Sequence, residues 1–182
     1  MAPTFTFAPT AGPACGSHLD FTELSSSDYW TNQNNDDEWS LSDGGCNVTF
    51  EGNTWLAFEL DSTYTVAEHS YLDFCFSQMT ECEIYAIAPV EDAADLTSTA
   101  DINFVVSGSQ TGLGTSWDLT YDDKYEGGLK CYSIPLVDYY DVGTTFQYLA
   151  FVNDCRRRRG SLRLDARVPR RASRTRRRRV LR

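Results

Sequence analysis

The first 155 residues contain no arginine and only two lysines, Lys124 and Lys130, against 25 of the chain's 26 carboxylates. A surface this acidic repels phosphate backbones and anionic lipid at a distance, which argues against nucleic-acid and membrane partners for this part. It suits a high-salt or calcium-rich surrounding and a neutral or cation-bridged ligand. Histidine is almost missing: His18 and His69 are the only two, and His69 reads as a strand-end surface residue. GxSxG, HExxH and CxxC are absent, and no lysine follows the glycines of "SGSQTGLGTS". The usual signatures of hydrolases, zinc sites and phosphate loops are thereby excluded. A glycosidase carboxylate pair needs no motif, only a separation of roughly 5 to 9.5 Å, and stays open as a lesser reading. No apolar run approaches the ~20 residues that span a bilayer. The start, "MAPTFTFAPTAGPACG", has neither the basic n-region nor the apolar h-region of a signal peptide. Its Pro-Thr and Ala-Pro steps make residues 1–20 read as a linker-like N-terminal segment, and the chain as part of a larger multidomain protein or one whose start is set late.

What the chain does have is apolar and aromatic material, 41% and 13% of its residues, enough to bury a core. From Trp39 onward it falls into short runs: "EWSLSD", "CNVTFEG", "TWLAFELD", "TYTVAEH", "YLDFCFS", "CEIYAIAP", "INFVVSG", "LKCYSIPL" and "TFQYLAFVN". In "YLDFCFS" the alternation places Leu72, Phe74 and Phe76 on one face and Asp73 and Cys75 on the other. Turn formers separate the runs at "SDGG", "EGN", "EGG" and "DVG". Only residues 91–101, "EDAADLTSTAD", suggest a helical turn. The expected fold is all-β, a β-sandwich of jelly-roll type over 21–155.

Six cysteines, Cys15, Cys46, Cys75, Cys82, Cys131 and Cys155, form an even set without metal-ligand spacing, so disulfides and an oxidising, extracellular compartment are expected. With all six oxidised, no cysteine nucleophile remains. Among the fifteen connectivities that six cysteines allow, hairpin symmetry about Gln78-Met79 sets Cys75 opposite Cys82, and symmetry about Gly143 sets Cys131 opposite Cys155 if those strands are neighbours, leaving Cys15 and Cys46. The "NVT" at Asn47 is a glycosylation sequon, in keeping with secretion.

At Arg156 the composition breaks. Residues 156–182 hold all 14 arginines, one carboxylate (Asp165), and no lysine, cysteine or aromatic residue. Arginine without lysine is what GC-rich codons give when read out of frame or past a splice site, so this Arg-rich tail reads as a gene-model artefact, expected to be disordered. A polyanion-binding tail, the one source of nucleic-acid affinity in the chain, and a targeting segment are the alternatives.

Aromatics and acids are interleaved at "GTSWDLTYDDKYEGG" (114–128), which carries Trp117, Tyr121, Asp122, Asp123 and Tyr125. A sugar ring has an apolar C–H face and a hydroxyl rim, and an aromatic platform beside carboxylates and amides matches both. Trp117, Tyr121 and Tyr125, four residues apart, would share one face of a strand. Trp30 in "DYW" is a further candidate, while most other aromatics, Trp55 above all, are expected in the core. Asp36, Asp37 and Glu38 in "TNQNNDDEW", with Asp154 in "VND", supply the hard oxygen ligands of a structural calcium ion, although no EF-hand spacing is met.

In their order, "GNTWLAFEL", "YLDFCFSQMTECEIYAI", "GTSWDLTYDDKY" and "YSIPLVDYYDVGTTFQYLAFVND" resemble a family of secreted jelly-roll modules that accompany polysaccharide-active and adhesive proteins of marine and environmental microbes. The resemblance covers roughly residues 25–154. It implies a noncatalytic carbohydrate-binding module with a structural calcium, in which Trp117, Asp123 and Tyr125 match the family's trp and asp-tyr loop, and Asn153 and Asp154 its asn-asp element. The cysteines at 75, 82, 131 and 155 are not part of that pattern. After Asp154 the arginine tail stands where the family has a closing strand, whose loss would leave a sheet edge open. The expected function is binding of a polysaccharide or glycan, by stacking on Trp30, Trp117 and Tyr125 while Asp122, Asp123 and Asn153 take hydroxyls. An adhesion module recognising protein and a glycan-active hydrolase are the alternatives.

Overall fold

A computed structural model describes residues 4–8 (backbone only), 19–30, 33–34, 38–78, 81–93, 101–122 and 128–155. Among them the chain is all-β, with no α-helix and two short 3-10 turns, at Asp43–Gly45 and Leu136–Asp138. The strands are β1 (Thr4–Ala8), β2 (Ser26–Asp28), β3 (Glu38–Ser42), β4 (Asn47–Glu51), β5 (Asn53–Thr65), β6 (Tyr71–Ser77), β7 (Ile84–Val90), β8 (Asn103–Ser107), β9 (Trp117–Asp118), β10 (Lys130–Pro135) and β11 (Thr145–Asp154). They form a five-stranded sheet in the order β10-β6-β1-β4-β3 and a six-stranded sheet in the order β2-β5-β11-β7-β8-β9. All pairings are antiparallel except β8 with β9.

The two sheets face each other across one core. From the five-stranded sheet come Val48, Phe50, Phe74, Phe76, Tyr132 and Ile134; from the six-stranded sheet come Leu56, Phe58, Tyr85, Ile87, Phe104, Val106, Leu149 and Phe151. Rings meet across the gap, Phe50 with Phe151 at 5.2 Å and Phe76 with Tyr85 at 5.2 Å between centroids. In β6 the inward set is the expected one: Phe74 and Phe76 are buried and Asp73 and Cys75 only partly so. The strand runs read from sequence reappear with one fusion, since "TWLAFELD" and the first three residues of "TYTVAEH" belong to the single long β5.

The six-stranded sheet is apolar on its outer face as well. Trp55 and Ala57 of β5, Ala150 and Val152 of β11, Ile84, Ala86, Ala88 and Val90 of β7 and Val105 of β8 form a second buried cluster with Tyr29 and Ala93. Ala57, Ala150 and Ala88 lie side by side on adjacent strands. Such a row of short side chains lets covering loops approach the sheet closely. Strands buried on both faces lose the apolar-polar alternation and read as continuous hydrophobic runs, which is why "IYAIAPV" is buried at all seven positions.

Two expectations change here. Residues 4–8, taken as part of a linker, form β1, seated between β6 and β4 in the middle of the five-stranded sheet. The Thr-Phe-Thr-Phe alternation is a period-two strand signal that the flanking Pro3 and Pro9 concealed. The disulfides join Cys75 to Cys131 and Cys82 to Cys155 instead of closing the two hairpins. The hairpin argument fails because β6 and β7 lie in different sheets, as do β10 and β11. Cys75 instead faces Cys131 across the β6–β10 ladder, and Cys82 and Cys155 flank the paired ends of β7 and β11. Cys46 is disulfide-bonded too, and no described cysteine is free. Two disulfides between strands are the chemistry of an oxidising compartment. Among the described residues no helix is long and apolar enough to cross a membrane. Cys15, the greater part of the helical turn expected at 91–101, and the arginine tail at 156–182 lie outside the described residues.

Candidate functional site

Three of the four tryptophans gather on the outer side of the six-stranded sheet. Trp55 projects outward from β5 because its neighbours Leu56 and Phe58 take the inward positions, and it is 2% exposed. Trp30, in the loop after β2, lies over it at 5.6 Å between ring centroids, tilted by 47°. Trp117, the first residue of β9, meets it edge-on at 5.9 Å and 74°. Tyr29 completes the ring at 6.3 Å, near parallel. Trp30 is 37% exposed and Trp117 half-buried, so the pair shows indole surface to solvent around a sealed centre.

The supports of this cluster are specific. Tyr29 is fully buried and donates its hydroxyl to Asn103 Oδ1 at 2.9 Å. Asn103 in turn fixes the loop before Trp117, its backbone N–H reaching the Ser116 carbonyl at 2.8 Å and its Nδ2 the same oxygen at 3.3 Å. The Trp117 N–H closes a turn on the Gly114 carbonyl at 3.1 Å. Trp30 is held less tightly: its N–H reaches the Ala93 carbonyl at 3.3 Å, and its own carbonyl accepts from Gln33 N–H at 3.4 Å. Its φ is +65°, a left-handed conformation that costs a bulky residue about 1–2 kcal/mol.

Desolvation, with the Asp101 charge second, pushes the Tyr29 phenol far above the ordinary tyrosine value. Burial does the same to Tyr85, and to Tyr140 against an opposing hydrogen bond with Ile102 N–H. A phenol that stays protonated in the fold but ionises near pH 10 when unfolded contributes its full stability below that pH and loses it above. Stability should therefore hold up to about pH 10 and then fall, by up to ~1.4 kcal/mol per pH unit for each such phenol. Denaturant midpoints measured between about pH 9 and about pH 11, with phenolate absorbance followed alongside, check this. A flat profile would contradict it.

The remaining sequence candidates divide. Tyr121 does not share a face with Trp117: β9 ends at Asp118, the chain turns, and Tyr121 packs toward the inter-sheet core against Phe104 at 6.0 Å and Tyr139 at 6.5 Å. The four-residue spacing misled because it presumed a continuous strand. Asp122 closes that turn through its backbone on Leu119. Asn153 is fully buried, its Nδ2 donating to the Gly52 carbonyl at 2.6 Å, so it braces the β4–β5 turn and offers no hydroxyl contact at the surface. Asn47 sits on the solvent side of β4, between the inward Val48 and the strand end, with its amide on Asp43. Glu38 begins β3 and Asp154 ends β11; no group of three or more metal-ligating side chains occurs among the described residues. Asp36, Asp37, Asp123 and Tyr125 lie outside them. His69 is exposed in the turn between β5 and β6, as its position suggested.

Trp55 and Tyr29 are the two members that sequence reasoning did not place at the site. A signal existed only in part: "DYW" and "GNTW" each put an aromatic beside polar residues, but nothing local shows that β5 turns its tryptophan away from the main core. No protein-family model, curated protein or solved structure matches the chain.

Proposed function

We propose that this chain is a secreted, noncatalytic carbohydrate-binding module with a jelly-roll sandwich fold, working as one part of a larger protein. The observation that carries the reading is the pair of partly exposed indoles, Trp30 and Trp117, bracketing buried Trp55 on an acidic, cation-poor domain. Flat apolar ring faces suit the C–H face of a saccharide, and a domain rich in carboxylates has the acceptors for its hydroxyl rim. The order of motifs shared with secreted jelly-roll modules supports the same reading, and the strand disulfides fit secretion. A single site of this size would bind weakly, and repetition along a polymer would supply avidity.

Electrophoresis of the full chain through gels containing neutral or acidic polysaccharides, with and without calcium, tests this. Retardation by at least one polysaccharide is expected, and calcium dependence would place a metal in the site's support. Trp30→Ala should weaken that retardation by about tenfold, the loss of roughly one stacking contact, and lower the melting temperature less than Trp117→Ala because Trp30 is the more exposed of the two rings. Trp117→Ala should weaken it too but also destabilise the fold, since that ring packs on Trp55. Migration unaffected by every polysaccharide would reject the proposal.

A further inference from the structure

The Nε1–H of Trp55 is buried and meets no hydrogen-bond partner among the described residues. The one hydroxyl among the described rings around it, on Tyr29, donates to Asn103 Oδ1 and makes no hydrogen bond with the indole. An N–H directed at a ring face is only a weak substitute for a carbonyl or hydroxyl acceptor. Stranding a donor in this way is unfavourable, and native structures rarely tolerate it without a functional reason. A second unfavourable feature lies directly against it: Trp30, with its left-handed backbone and long hydrogen bonds, is the ring that rests on Trp55 from the solvent side.

We propose that Trp55 Nε1–H is the site's buried hydrogen-bond donor, reserved for a ligand oxygen and uncovered when Trp30 lifts. Both strains are then relieved by one event. Displacement of Trp30 releases its backbone, and the entering oxygen satisfies the indole. Trp117, fixed through Ser116 and Asn103, stays as the wall against which the ligand lies, and the lifted Trp30 ring closes on the ligand from the solvent side, keeping its stacking contact. The acceptor is a neutral oxygen, because 25 carboxylates in the first 155 residues disfavour an anion. Naming it a sugar hydroxyl rests on the carbohydrate reading above; the donor itself does not.

The full chain, labelled with nitrogen-15, gives one indole N–H signal for each of its four tryptophans, assignable through single Trp→Phe variants. Titration with soluble polysaccharides, and separately with 1,4-dioxane and dimethyl sulfoxide as minimal oxygen acceptors, should move the Trp55 signal downfield and saturably. Replacing Trp55 by benzothienylalanine, the isostere with sulfur in place of N–H, should leave the melting temperature unchanged or raised and weaken polysaccharide retention about tenfold. A Trp55 signal that no probe moves overturns the inference, as does full retention by the isostere. Gel retention with an unmoved Trp55 signal would leave the carbohydrate reading standing without it. A signal moved saturably by the small acceptors, with no retention on any polysaccharide, would keep the donor and remove the carbohydrate.

Discussion

Replacing Cys82 and Cys155 together by alanine should cost about 4 kcal/mol, from the entropy of the loop of 73 residues that the disulfide closes. In a domain of this size that lowers the melting temperature by roughly 10 °C or more. The loss has a local part as well. The Tyr85 hydroxyl sits 2.7 Å from Cys82 Sγ and 3.2 Å from Cys155 Sγ, in a buried position, and the two alanines would remove both of these contacts. The Cys75–Cys131 pair closes a loop of similar length, 56 residues, yet lies on the solvent side of β6 and β10, away from the buried Tyr85 hydroxyl. The Cys75→Ala/Cys131→Ala double variant should therefore be the milder of the two, and mild reductant should open that bond first. Equal melting temperatures for the two double variants would show that Tyr85 contributes nothing. An unchanged melting temperature for Cys82→Ala/Cys155→Ala would show that the six-stranded sheet holds its ends without a staple.

That staple bears on the site. Cys82 and Cys155 bracket the ends of β7 and β11, and two pairs further in than Ile84 and Asp154, Val152 lies between Trp55 and Ala86. The disulfide, the Asn153 amide on Gly52 and the Trp55 cluster thus occupy one end of the same sheet. A rigid end is what a weak surface site requires, because each degree of freedom frozen on binding subtracts from a small binding energy.

The strands were legible because most announce themselves through aromatic and β-branched runs between turn formers; β6 matches its reading to the residue. What the sequence hides are relations across the chain. "YLDFCFSQMTECEIYAI" looks like one hairpin, and only the placement of its halves in separate sheets shows why Cys75 seeks Cys131. Trp117 and Tyr121 look co-facial until the strand is seen to stop after two residues. Asn153, a plausible hydroxyl partner by type, is consumed by a turn a hundred residues earlier. Trp55 was rightly expected to be buried, but burial against loops and burial between sheets leave the same continuous apolar run.

Truncating Phe151 to alanine should be the most damaging single change outside the cysteines, at about 3–5 kcal/mol. Phe151 is fully buried at the middle of β11, the strand that pairs with both β5 and β7. Its ring meets Phe50 of the opposite sheet at 5.2 Å, Phe58 of the neighbouring strand at 5.8 Å and Phe21 at 6.1 Å. Those partners are themselves locked, Phe21 by its N–H on Gly45 and by its edge on Phe58 at 4.9 Å, so the cavity left behind has little freedom to collapse. Val152→Ala, one residue on, removes less volume and opens toward the outer cluster, and should cost about 1–2 kcal/mol. The two variants separate the cores: Phe151→Ala should lower the denaturant midpoint strongly, whereas Val152→Ala should disturb the packing beneath Trp55 and show chiefly in tryptophan fluorescence. If the order of the two midpoints were reversed, the outer cluster, and not the space between the sheets, would be the principal core of the protein.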